Sequence, residues 1–554
     1  MAQGGAAPVY RLVAGEAPSV SAPRLDPTQQ AVVDHPSGPL LVLAGPGTGK
    51  TTTIVEAVAA RIDAGIDPEQ ILVLTFSRKA AAELRTRITG RVARTIREPL
   101  ARTFHSYAYG VLRRAALLRG DLPPRLLTSA EQDAVVAQLL SGDAEGEGAV
   151  RWPEGLVPAL ETAGFRRELR ELLLRATERG IEPDQLAAWG RETGSEHWVH
   201  AAAFQEQYEA VTAFATVGRG DASGYDPAEL VRQAIVELSD DPELLRQERE
   251  RARWLFVDEY QDTDPAQVEL LELLAGGGGN LVAVGDPDQA IYAFRGAEPR
   301  GMVEFPDRFR HTDGRAARRV SLGVCRRSGA ELLAISRTVA EGLPGPWEHR
   351  RLAPVVGTDP GTAEVHVFGS AAVEAAYLAD VLRRAHLLDG VPWSQMAVVV
   401  RTAGALGPLR RALTSAGVPV AVSADELSLG AQPAVAPLLR ALTALLPVRR
   451  VPAADDDGSA GDVGPVEAGL DELAAEALLA SPLGGATVLD LRRLRRAVRI
   501  AFAKQGVDAA ERGDPLATAL IDESLLESLP EHVARPARRV AAVLDAGRIA
   551  LARD

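Results

Sequence analysis

Eight residues near the N-terminus, Ala44 to Thr51, read AGPGTGKT and have the composition of a phosphate-binding loop. Glycines let backbone N–H groups curl around phosphate oxygens, Lys50 can reach the β and γ phosphates, and the hydroxyl of Thr51 suits Mg²⁺. The apolar run LLVLAG leads into the loop, and GKTTTIVEAVAARI continues from it with helical spacing. This strand–loop–helix context favours nucleotide binding over the alternative, an ordinary glycine turn.

A pair of carboxylates, Asp258 and Glu259, ends the apolar run WLFVDEY. We expect Asp258 to hold Mg²⁺ through water and Glu259 to polarise an attacking water. Two acids after a strand are a weak signal alone, because solvated and helix-capping acids are common. The longer string DEYQDTDPAQ (258–267) is far more specific, since its polar residues stand at fixed offsets.

A second distinctive string, GDPDQAIYAFRGA (285–297), follows the apolar run LVAVGD. It places Gln289, two aromatic residues and an arginine together after a strand. The alternative interpretation makes Tyr292 and Phe294 simple core residues.

Arginine is the ordinary cation of this chain, because Lys50, Lys79 and Lys504 are the only lysines among 61 basic residues. A lysine in this background indicates a position that needs a compact ammonium group, and chance is the alternative. The formal net charge of -14 argues against a uniformly basic nucleic-acid binder, although not against a local basic groove.

Length and composition indicate a globular protein of three or four domains, with 554 residues, 46% of them hydrophobic and 25% charged. Cys325 is the only cysteine, which excludes intrachain disulfides and cysteine-based zinc sites. No run of 18 apolar residues occurs, and the first residues lack the pattern of a signal peptide. We therefore expect a cytoplasmic protein with no membrane partner.

Before residue 111, and again after residue 222, apolar runs alternate with helical patterns. This alternation predicts a parallel α/β sheet. Between 111 and 222 amphipathic helical patterns replace them and indicate a helical insertion. After about residue 298 weaker strand signals recur at RRVSL, AEVHVFG, MAVVVRT and VPVAVS, which predicts a second α/β domain. Beyond about 427 the pattern is helical again, interrupted by a small, acidic stretch at 451–469 that reads as a solvated loop.

These strings together resemble the superfamily 1 DNA helicases of the UvrD, PcrA and Rep type. The match runs in order through seven motifs: LDPTQ, AGPGTGKT, LTFSRKAAAELRTRI, TFHSYAYGVLRR, DEYQDTDPAQ, GDPDQAIYAFRGA and LGVCRRS. Within this family the late string LLASPLGGATVLDLRRLRR looks most like AdnA, the motor subunit of AdnAB-type helicase–nucleases. The resemblance is dense from 25 to about 328 and thin afterwards.

The resemblance implies a role for each matching residue of the nucleotide site, with ATP and Mg²⁺ as cofactors. Gln29 would read the adenine edge, Gln289 would sense the γ-phosphate, and Arg327 would be an arginine finger. Lys50, Asp258 and Glu259 complete the catalytic set, and Thr51 and Asp258 would serve the metal. The remaining implied nucleotide contacts are Ala44, Gly45, Pro46, Gly47, Thr48, Gly49, Thr52 and Arg326.

The resemblance also implies contacts to single-stranded DNA from Phe76, His105, Tyr292, Phe294 and Arg295. Aromatic faces suit every base, at about 1 to 3 kcal/mol per stacked base, so binding is expected to be largely indifferent to sequence. The alternative for His105 is a capped loop histidine.

This sequence departs from the family pattern at several places. Arg326 stands where the family has a tyrosine that stacks on adenine, and Cys325 replaces an asparagine. An arginine plane can still cover a base, so we expect ATP binding to survive, whereas the substitutions leave purine selectivity open. Arg78 and Ala290 also differ from the usual asparagine and serine.

The resemblance implies two RecA-like parallel-sheet P-loop domains, the second incomplete, with helical insertions. After a flexible segment 1–21, the first domain takes 22–112 and 222–297, and its insertion takes 113–221. The second domain takes 298–426, followed by a partial helical insertion at 427–554.

The implied function is an ATP-dependent single-stranded DNA translocase and 3′ to 5′ helicase acting in double-strand break processing or recombinational repair. The alternative is a DNA-binding, weakly hydrolysing partner subunit of a helicase–nuclease. Single-stranded and duplex DNA are the expected partners, with a second motor or nuclease subunit. A phosphate-loop ATPase or kinase unrelated to nucleic acid would leave TFHSYAY and IYAFRGA unexplained.

Two late motifs of these helicases, of the forms TxHxxKGLE and RRLxYVAxTRA, do not occur in the 554 residues. We therefore expect the sequence to be an amino-terminal portion of a longer protein and a poor motor by itself. A natural short form is the alternative.

Overall fold

The computed structural model describes residues 23–92, 100–217, 224–293, 296–345, 348–421, 435–445, 470–504 and 514–551. The segment 1–21, the acidic stretch 451–469, and the candidate residues Phe294 and Arg295 lie outside them. The chain divides into two compact units, one ending at Glu364 and the other beginning at Val365.

The first unit alternates strands and helices around one sheet. Its strands are β1 (Leu40–Ala44), β2 (Ile71–Thr75), β3 (Ala101–Thr103), β4 (Arg125–Leu126), β5 (Gly224–Tyr225), β6 (Trp254–Val257), β7 (Asn280–Gly285), β8 (Arg318–Leu322), β9 (Val324–Cys325) and β10 (Ala353–Pro354). Its helices are α1 (Pro27–Val33), α2 (Lys50–Asp63), α3 (Arg78–Arg91), α4 (Phe104–Arg119), α5 (Ser129–Ala144), α6 (Ala163–Glu178), α7 (Pro183–Thr193), α8 (Glu196–Val217), α9 (Pro227–Asp240), α10 (Pro242–Arg251), α11 (Pro265–Ala275), α12 (Arg300–Arg308) and α13 (Ala330–Ala340).

Six strands form a parallel sheet in the order β3-β2-β6-β7-β1-β8. The α/β fold with a parallel sheet, predicted from the sequence, is confirmed. Leu40 lies opposite Val282 of β7 on one side and Arg318 of β8 on the other. Strand β1 is therefore central, and the loop that leaves its carboxyl end is flanked by two other strand ends.

Both faces of the sheet are covered, which explains why its strands read as continuous apolar runs. Leu41 and Leu43 belong to a core formed with α4, α9 and α11. Leu40 and Val42 belong to a second core, formed with α2 and α3. Successive side chains alternate between the two faces, so the sheet rigidly fixes the direction in which each strand ends.

Helices α5, α6 and α8 pack around a core of their own, which includes Val136, Leu173 and Phe204. This region lies within the predicted helical insertion. Strands β4 and β5 pair in parallel at the two ends of the region, between α4 and α9.

The strand predicted at RRVSL forms as β8, but the structure corrects its assignment to a second sheet. Each residue of 318–322 pairs in parallel with a residue of β1. The first sheet therefore continues past the expected boundary at 298. An unpaired edge of β1 would leave buried backbone groups without partners, and β8 satisfies them while burying Leu322.

The second unit contains helices and, among its described residues, no strand. Its helices are α14 (Ala371–Leu387), α15 (Leu406–Ser415), α16 (Ala436–Leu445), α17 (Glu472–Ala480), α18 (Val488–Lys504), α19 (Pro515–Ile521), α20 (Glu523–Ser528) and α21 (Glu531–Leu551). Helices α16 to α21 share one apolar core, whereas α14 and α15 contribute to a small cluster around Ala379, Leu413 and Val418.

The second parallel sheet expected from AEVHVFG, MAVVVRT and VPVAVS is not present in the described part of these segments. Val365, Val367 and Val399 are 92%, 93% and 92% exposed. A strand needs a hydrogen-bonded neighbour, and no described segment of this unit pairs with these residues. Apolar alternation alone predicted strands that lack partners here.

Across the described residues, no helix is both long enough and apolar enough to cross a membrane.

Candidate active site

The loop between β1 and α2 has the backbone shape of a phosphate cradle. Gly47 and Gly49 have φ angles of 72° and 84°, a region that favours glycine. A Cβ on Gly47 would lie 2.7 Å from the Cβ of Arg327 and 2.7 Å from Cys325 Sγ. The close approach of the 325–327 segment therefore requires glycine at this position.

Helix α2 begins at Lys50, directly after Gly49, and no side chain caps its first turn. The N–H groups of this turn and the positive end of the helix dipole suit an anion. The loop opens into a cavity of about 570 Å³, lined by Gly45, Pro46, Gly47, Thr48, Gly49, Lys50, Thr51, Thr52, Glu83, Arg87, Glu259, Gln289, Arg326 and Arg327. Most of the residues predicted to contact the nucleotide thus line one cavity.

Lys50 joins the ends of β6 and β7 to the loop. Its Nζ lies 3.1 Å from Glu259 Oε2 and donates to Gln289 Oε1 at 3.4 Å. Gln261 Nε2 also donates to Glu259 Oε2, at 2.9 Å. Three residues predicted from separate motifs therefore meet at one point.

Glu259 has a φ of 53° and is the only non-glycine residue with positive φ in the described ranges. Such a backbone typically costs about 1 kcal/mol or more, and it persists where neighbouring contacts hold it. Its contacts with Lys50 and Gln261 are of this kind. The Glu259 side chain lines the cavity in this conformation.

Asp258 is buried at the end of β6, where its backbone N–H donates to the Leu74 carbonyl at 2.9 Å. Burial raises the pKa of Asp258 to about 7, the charge of Glu259 adds to the rise, and Lys50 opposes it. Its Oδ1 accepts no hydrogen bond from any described residue. A buried carboxylate oxygen without a donor fits a cation as its partner.

A cluster of charged residues, which the sequence did not predict, fixes the position of the Gln289 side chain. Its Nε2 donates to Asp286 Oδ2 at 2.5 Å, and Asp286 Oδ1 lies 3.3 Å from His349 Nε2. The same His349 nitrogen lies 3.0 Å from Asp288 Oδ2, and Arg350 donates to both oxygens of Asp288 at 2.6 Å. No local motif marks His349 or Arg350, because they reach this point from another segment of the chain.

His349 is 1% exposed, between two carboxylates. Burial lowers its pKa, but the hydrogen bonds and charges of Asp286 and Asp288 outweigh burial and hold the pKa above the ordinary value of 6.5. The same contacts hold the pKa of Asp286 below its usual range, against the effect of burial. Protonation of His349 between these two carboxylates therefore stabilises this corner of the site.

Arg326 and Gln29 meet at the other side of the loop. Arg326 Nη2 donates to Gln29 Oε1 at 2.8 Å and to Asp26 Oδ2 at 2.9 Å, and its Nη1 donates to the Thr48 carbonyl at 3.2 Å. Gln29 Nε2 donates to the same carbonyl at 3.0 Å. Asp26, which also caps α1, is a site residue that sequence reasoning missed.

Two of the predicted DNA contacts lie against each other. The rings of Phe76 and Tyr292 stack with centroids 4.4 Å apart and an interplanar angle of 27°. Both residues are half-buried, so the core interpretation of Tyr292 does not describe its position.

His105 lies in the first turn of α4, directly after β3, rather than in a loop. Burial lowers its pKa, and the charge of Arg78 adds to the effect. Strand β3 neighbours β2, with Thr103 opposite Thr75, so His105 and Phe76 follow adjacent strand ends.

Comparison with known proteins finds a family match over the part of the chain that contains the phosphate loop and the Asp258–Glu259 pair. Residues 25–310 match the UvrD/REP helicase N-terminal domain. The chain is 30% identical over 410 residues to the ATP-dependent DNA helicase UvrD1 of Mycobacterium tuberculosis, covering 72% of this chain and 49% of that protein. It is 30% identical over 448 residues to UvrD2 of the same organism, covering 79% and 60%.

The putative ATP-dependent DNA helicase YjcD of Bacillus subtilis is 31% identical over 287 residues, covering 51% of this chain and 34% of that protein. The chain spans about half the length of the curated UvrD1 relatives it matches. The finer likeness to AdnA is not confirmed by these comparisons and stays a prediction.

The ionic cluster generates a prediction on pH dependence. The variant His349→Gln should lose about 3 kcal/mol or more of unfolding free energy near pH 6, because it leaves the buried carboxylate of Asp286 without its cation. Since the folded-state pKa of His349 is raised above 6.5, its stabilisation is complete below that pH and is lost as the pH rises through the folded-state pKa. The deficit of the variant should therefore shrink toward pH 9.

Urea unfolding of the parent and the variant at pH 6 and pH 9 measures this deficit. The exposed histidine variant His197→Gln is the matched control and should show no pH-dependent deficit. A deficit of equal size at both pH values would contradict a charged histidine in the cluster.

Proposed function

The chain belongs to the UvrD/REP helicase family, and from this premise we propose that it binds and hydrolyses ATP with Mg²⁺ and uses the energy to move along single-stranded DNA. We further propose 3′ to 5′ movement with separation of duplex strands, in double-strand break processing or recombinational repair. One observation carries the ATPase assignment: Lys50 of the phosphate loop meets Glu259 and Gln289 at the cavity.

Each residue at this meeting point has a chemical task. Lys50 neutralises charge on the β and γ phosphates, and Gln289 contacts the γ-phosphate. When a phosphate pairs with Lys50, Glu259 is released from its ion pair with this lysine. The Glu259 carboxylate then accepts a proton from the attacking water. Arg327, which also lines the cavity, stabilises the transferring phosphoryl group, a contribution of about 10³ to 10⁵ in turnover for such arginines.

The residues that would hold Mg²⁺ are Thr51 and Asp258, which fit through the Thr51 hydroxyl and the unpartnered Asp258 oxygen. When bound, the ion screens the negative charge of the phosphates. With a cation beside it, Asp258 stays ionised despite its burial.

The DNA assignment is supported by the position of Tyr292, three residues after Gln289. The short segment 286–292 therefore has Gln289 at the phosphate cavity and Tyr292 stacked on Phe76. A shift of Gln289 on nucleotide binding is transmitted to the aromatic pair over a very short stretch of chain. This arrangement suits a motor, in which the contacts between the protein and the DNA bases must differ from one nucleotide state to the next.

A second candidate is a DNA-binding, weakly hydrolysing partner subunit of a motor or nuclease complex. The contacts of Arg326 with Gln29 and Asp26 favour it, because they occupy groups that would otherwise be available to a base. The two candidates differ in turnover and share nucleotide and DNA binding.

Two substitutions test the ATPase assignment. Glu259→Gln keeps the shape of the side chain and loses the base, so hydrolysis should fall by about 10² to 10⁴ while ATP binding is retained. Lys50→Ala should reduce both binding and hydrolysis, because the phosphates lose their cation. Steady-state phosphate release and equilibrium nucleotide binding measure the two effects.

The exposed variants Glu154→Gln and Lys504→Ala are the matched controls and should behave as the parent. Hydrolysis at the parental rate in Glu259→Gln would show that another group is the base. Nucleotide binding without measurable hydrolysis in the parent would support the partner-subunit candidate.

A further substitution tests the DNA contact. Phe76→Ala should weaken single-strand binding by about 1 to 3 kcal/mol, with nucleotide binding unchanged, because a stacking surface is lost. Phe76→Leu keeps most of the apolar volume without the ring and should show the same loss, which separates stacking from folding. Fluorescence anisotropy at several salt concentrations measures the affinity, and parental affinity in both variants would exclude Phe76 from the DNA site.

A further inference from the structure

Gln261 is a buried neighbour of the proposed base. Its side chain is 1% exposed, and it lies in the short turn Tyr260–Asp262, which follows Glu259 directly. Resting on the proposed hydrolysis of ATP, we propose that Gln261 is a positioning residue of that reaction. It holds the Glu259 carboxylate in place and ties it to the loop that carries Gln289.

The two ends of the Gln261 amide are matched to different partners. Its Nε2 donates to Glu259 Oε2 at 2.9 Å, and its Oε1 accepts from the Asp286 backbone N–H at 3.0 Å. An ionised carboxylate has only acceptors and a backbone N–H is only a donor, so the amide fits in one orientation. A second carboxylate at this position would lack the donor, and an alkyl chain would lack both groups.

The amide lies close to the backbone at the end of β7. A Cβ on Gly285 would lie 2.6 Å from Gln261 Oε1, so a side chain there would displace the amide. The preceding residue, Tyr260, is also buried, and its ring packs edge-on against Phe305 with centroids 5.3 Å apart. Packing therefore holds the turn that carries Gln261, in addition to its hydrogen bonds.

The two bonds of Gln261 complete a closed ring of contacts. Lys50 contacts both Glu259 and Gln289, at 3.1 and 3.4 Å. Gln289 donates to the Asp286 side chain at 2.5 Å. Gln261 joins the Asp286 backbone to Glu259 and closes the ring. The proposed base and the residue proposed to contact the γ-phosphate therefore belong to one hydrogen-bonded unit.

Phosphate binding changes one contact of this ring. When a phosphate pairs with Lys50, Glu259 loses its ion pair, and among the described residues Gln261 is the remaining partner of its carboxylate. The φ of 53° at Glu259 persists only where contacts hold it. Gln261 therefore orients the base when the base acts on water. Because the amide is buried, a nucleotide in the cavity does not reach it.

The variant Gln261→Leu keeps most of the volume of the side chain and loses both hydrogen bonds. Hydrolysis should fall by roughly tenfold to a hundredfold, since the base is no longer aligned, while ATP affinity stays within about threefold of the parent. Single-turnover hydrolysis measures the first effect, with the 554-residue chain in excess over ATP and with Mg²⁺ and single-stranded DNA present. Equilibrium binding of a non-hydrolysable ATP analogue measures the second.

The variant Gln261→Glu separates positioning from a merely structural role through its pH dependence. At pH 9 both carboxylates are charged and repel each other, so hydrolysis should be slower than in the parent by roughly tenfold or more. Toward pH 6 the pair takes up one proton, and the new carboxyl group can donate to Glu259 as the amide did. The deficit relative to the parent should therefore shrink by roughly fivefold or more.

Gln267→Leu is the matched control, because Gln267 is 2% exposed and its amide also donates to a carboxylate, that of Asp264. It should keep the parental rate of hydrolysis at both pH values. Thermal unfolding of each variant verifies that it is folded. If Gln261→Leu does not fold, Gln261→Glu still tests the proposal, since it keeps the volume and the acceptor for the Asp286 N–H.

The outcomes separate this proposal from the proposed function. Parental hydrolysis in Gln261→Leu, or a deficit of Gln261→Glu that is equal at both pH values, overturns the role of Gln261 and leaves the ATPase assignment standing. An equal loss of hydrolysis in Gln267→Leu also overturns it. A parent that binds ATP without hydrolysing it in a single turnover overturns the ATPase assignment and this inference together.

Discussion

One constraint governs the site: six strands run in the same direction, so their carboxyl ends share one edge. The phosphate loop leaves β1, Phe76 follows β2, Asp258 follows β6 and the 286–289 turn follows β7. Each of these strands is buried on both faces, which leaves the direction of its final residue little freedom. The chemistry of the site is therefore a consequence of sheet register, and a slip of one residue would turn every functional side chain to the wrong face.

Charge balance links these strand ends to one another. Lys50 pairs with Glu259, Asp286 and Asp288 share His349, and Arg326 pairs with Asp26. A chain with a formal charge of -14 thus places three cations, Lys50, His349 and Arg326, at this edge of the sheet. Because Lys50 already pairs with Glu259, an incoming phosphate would have to replace this partner, and the proposed nucleotide binding would then be coupled to a rearrangement of the site.

Local sequence predicted those parts of the site in which one short segment carries both the element and the chemistry. AGPGTGKT and the Asp258–Glu259 pair were predicted as loop and strand end because apolar runs mark their strands. Contacts between distant segments had no such signal: His349 reaches Asp286, and Arg326 reaches Gln29, only because of the fold. The RRVSL pattern predicts a strand correctly but does not identify β1 as its partner. Strand pairing depends on which strand of the folded sheet has an unpaired edge, and a local pattern does not contain this information. The same limit explains the valine-rich segments near 365 and 399, whose alternation predicts strands that remain unpaired in the described residues.

We propose that the nucleotide cavity and the Phe76–Tyr292 pair act as one coupled site, because the segment 286–292 joins them. Its most direct test is the affinity of the chain for a single-stranded oligonucleotide, measured with and without a non-hydrolysable ATP analogue, together with the affinity for the analogue measured with and without the oligonucleotide. Linkage requires the two ratios to be equal, and the shared segment 286–292 predicts that both differ from one by roughly fivefold or more. Ratios of one in both experiments, with each ligand bound, would show that the cavity and the aromatic pair are not coupled.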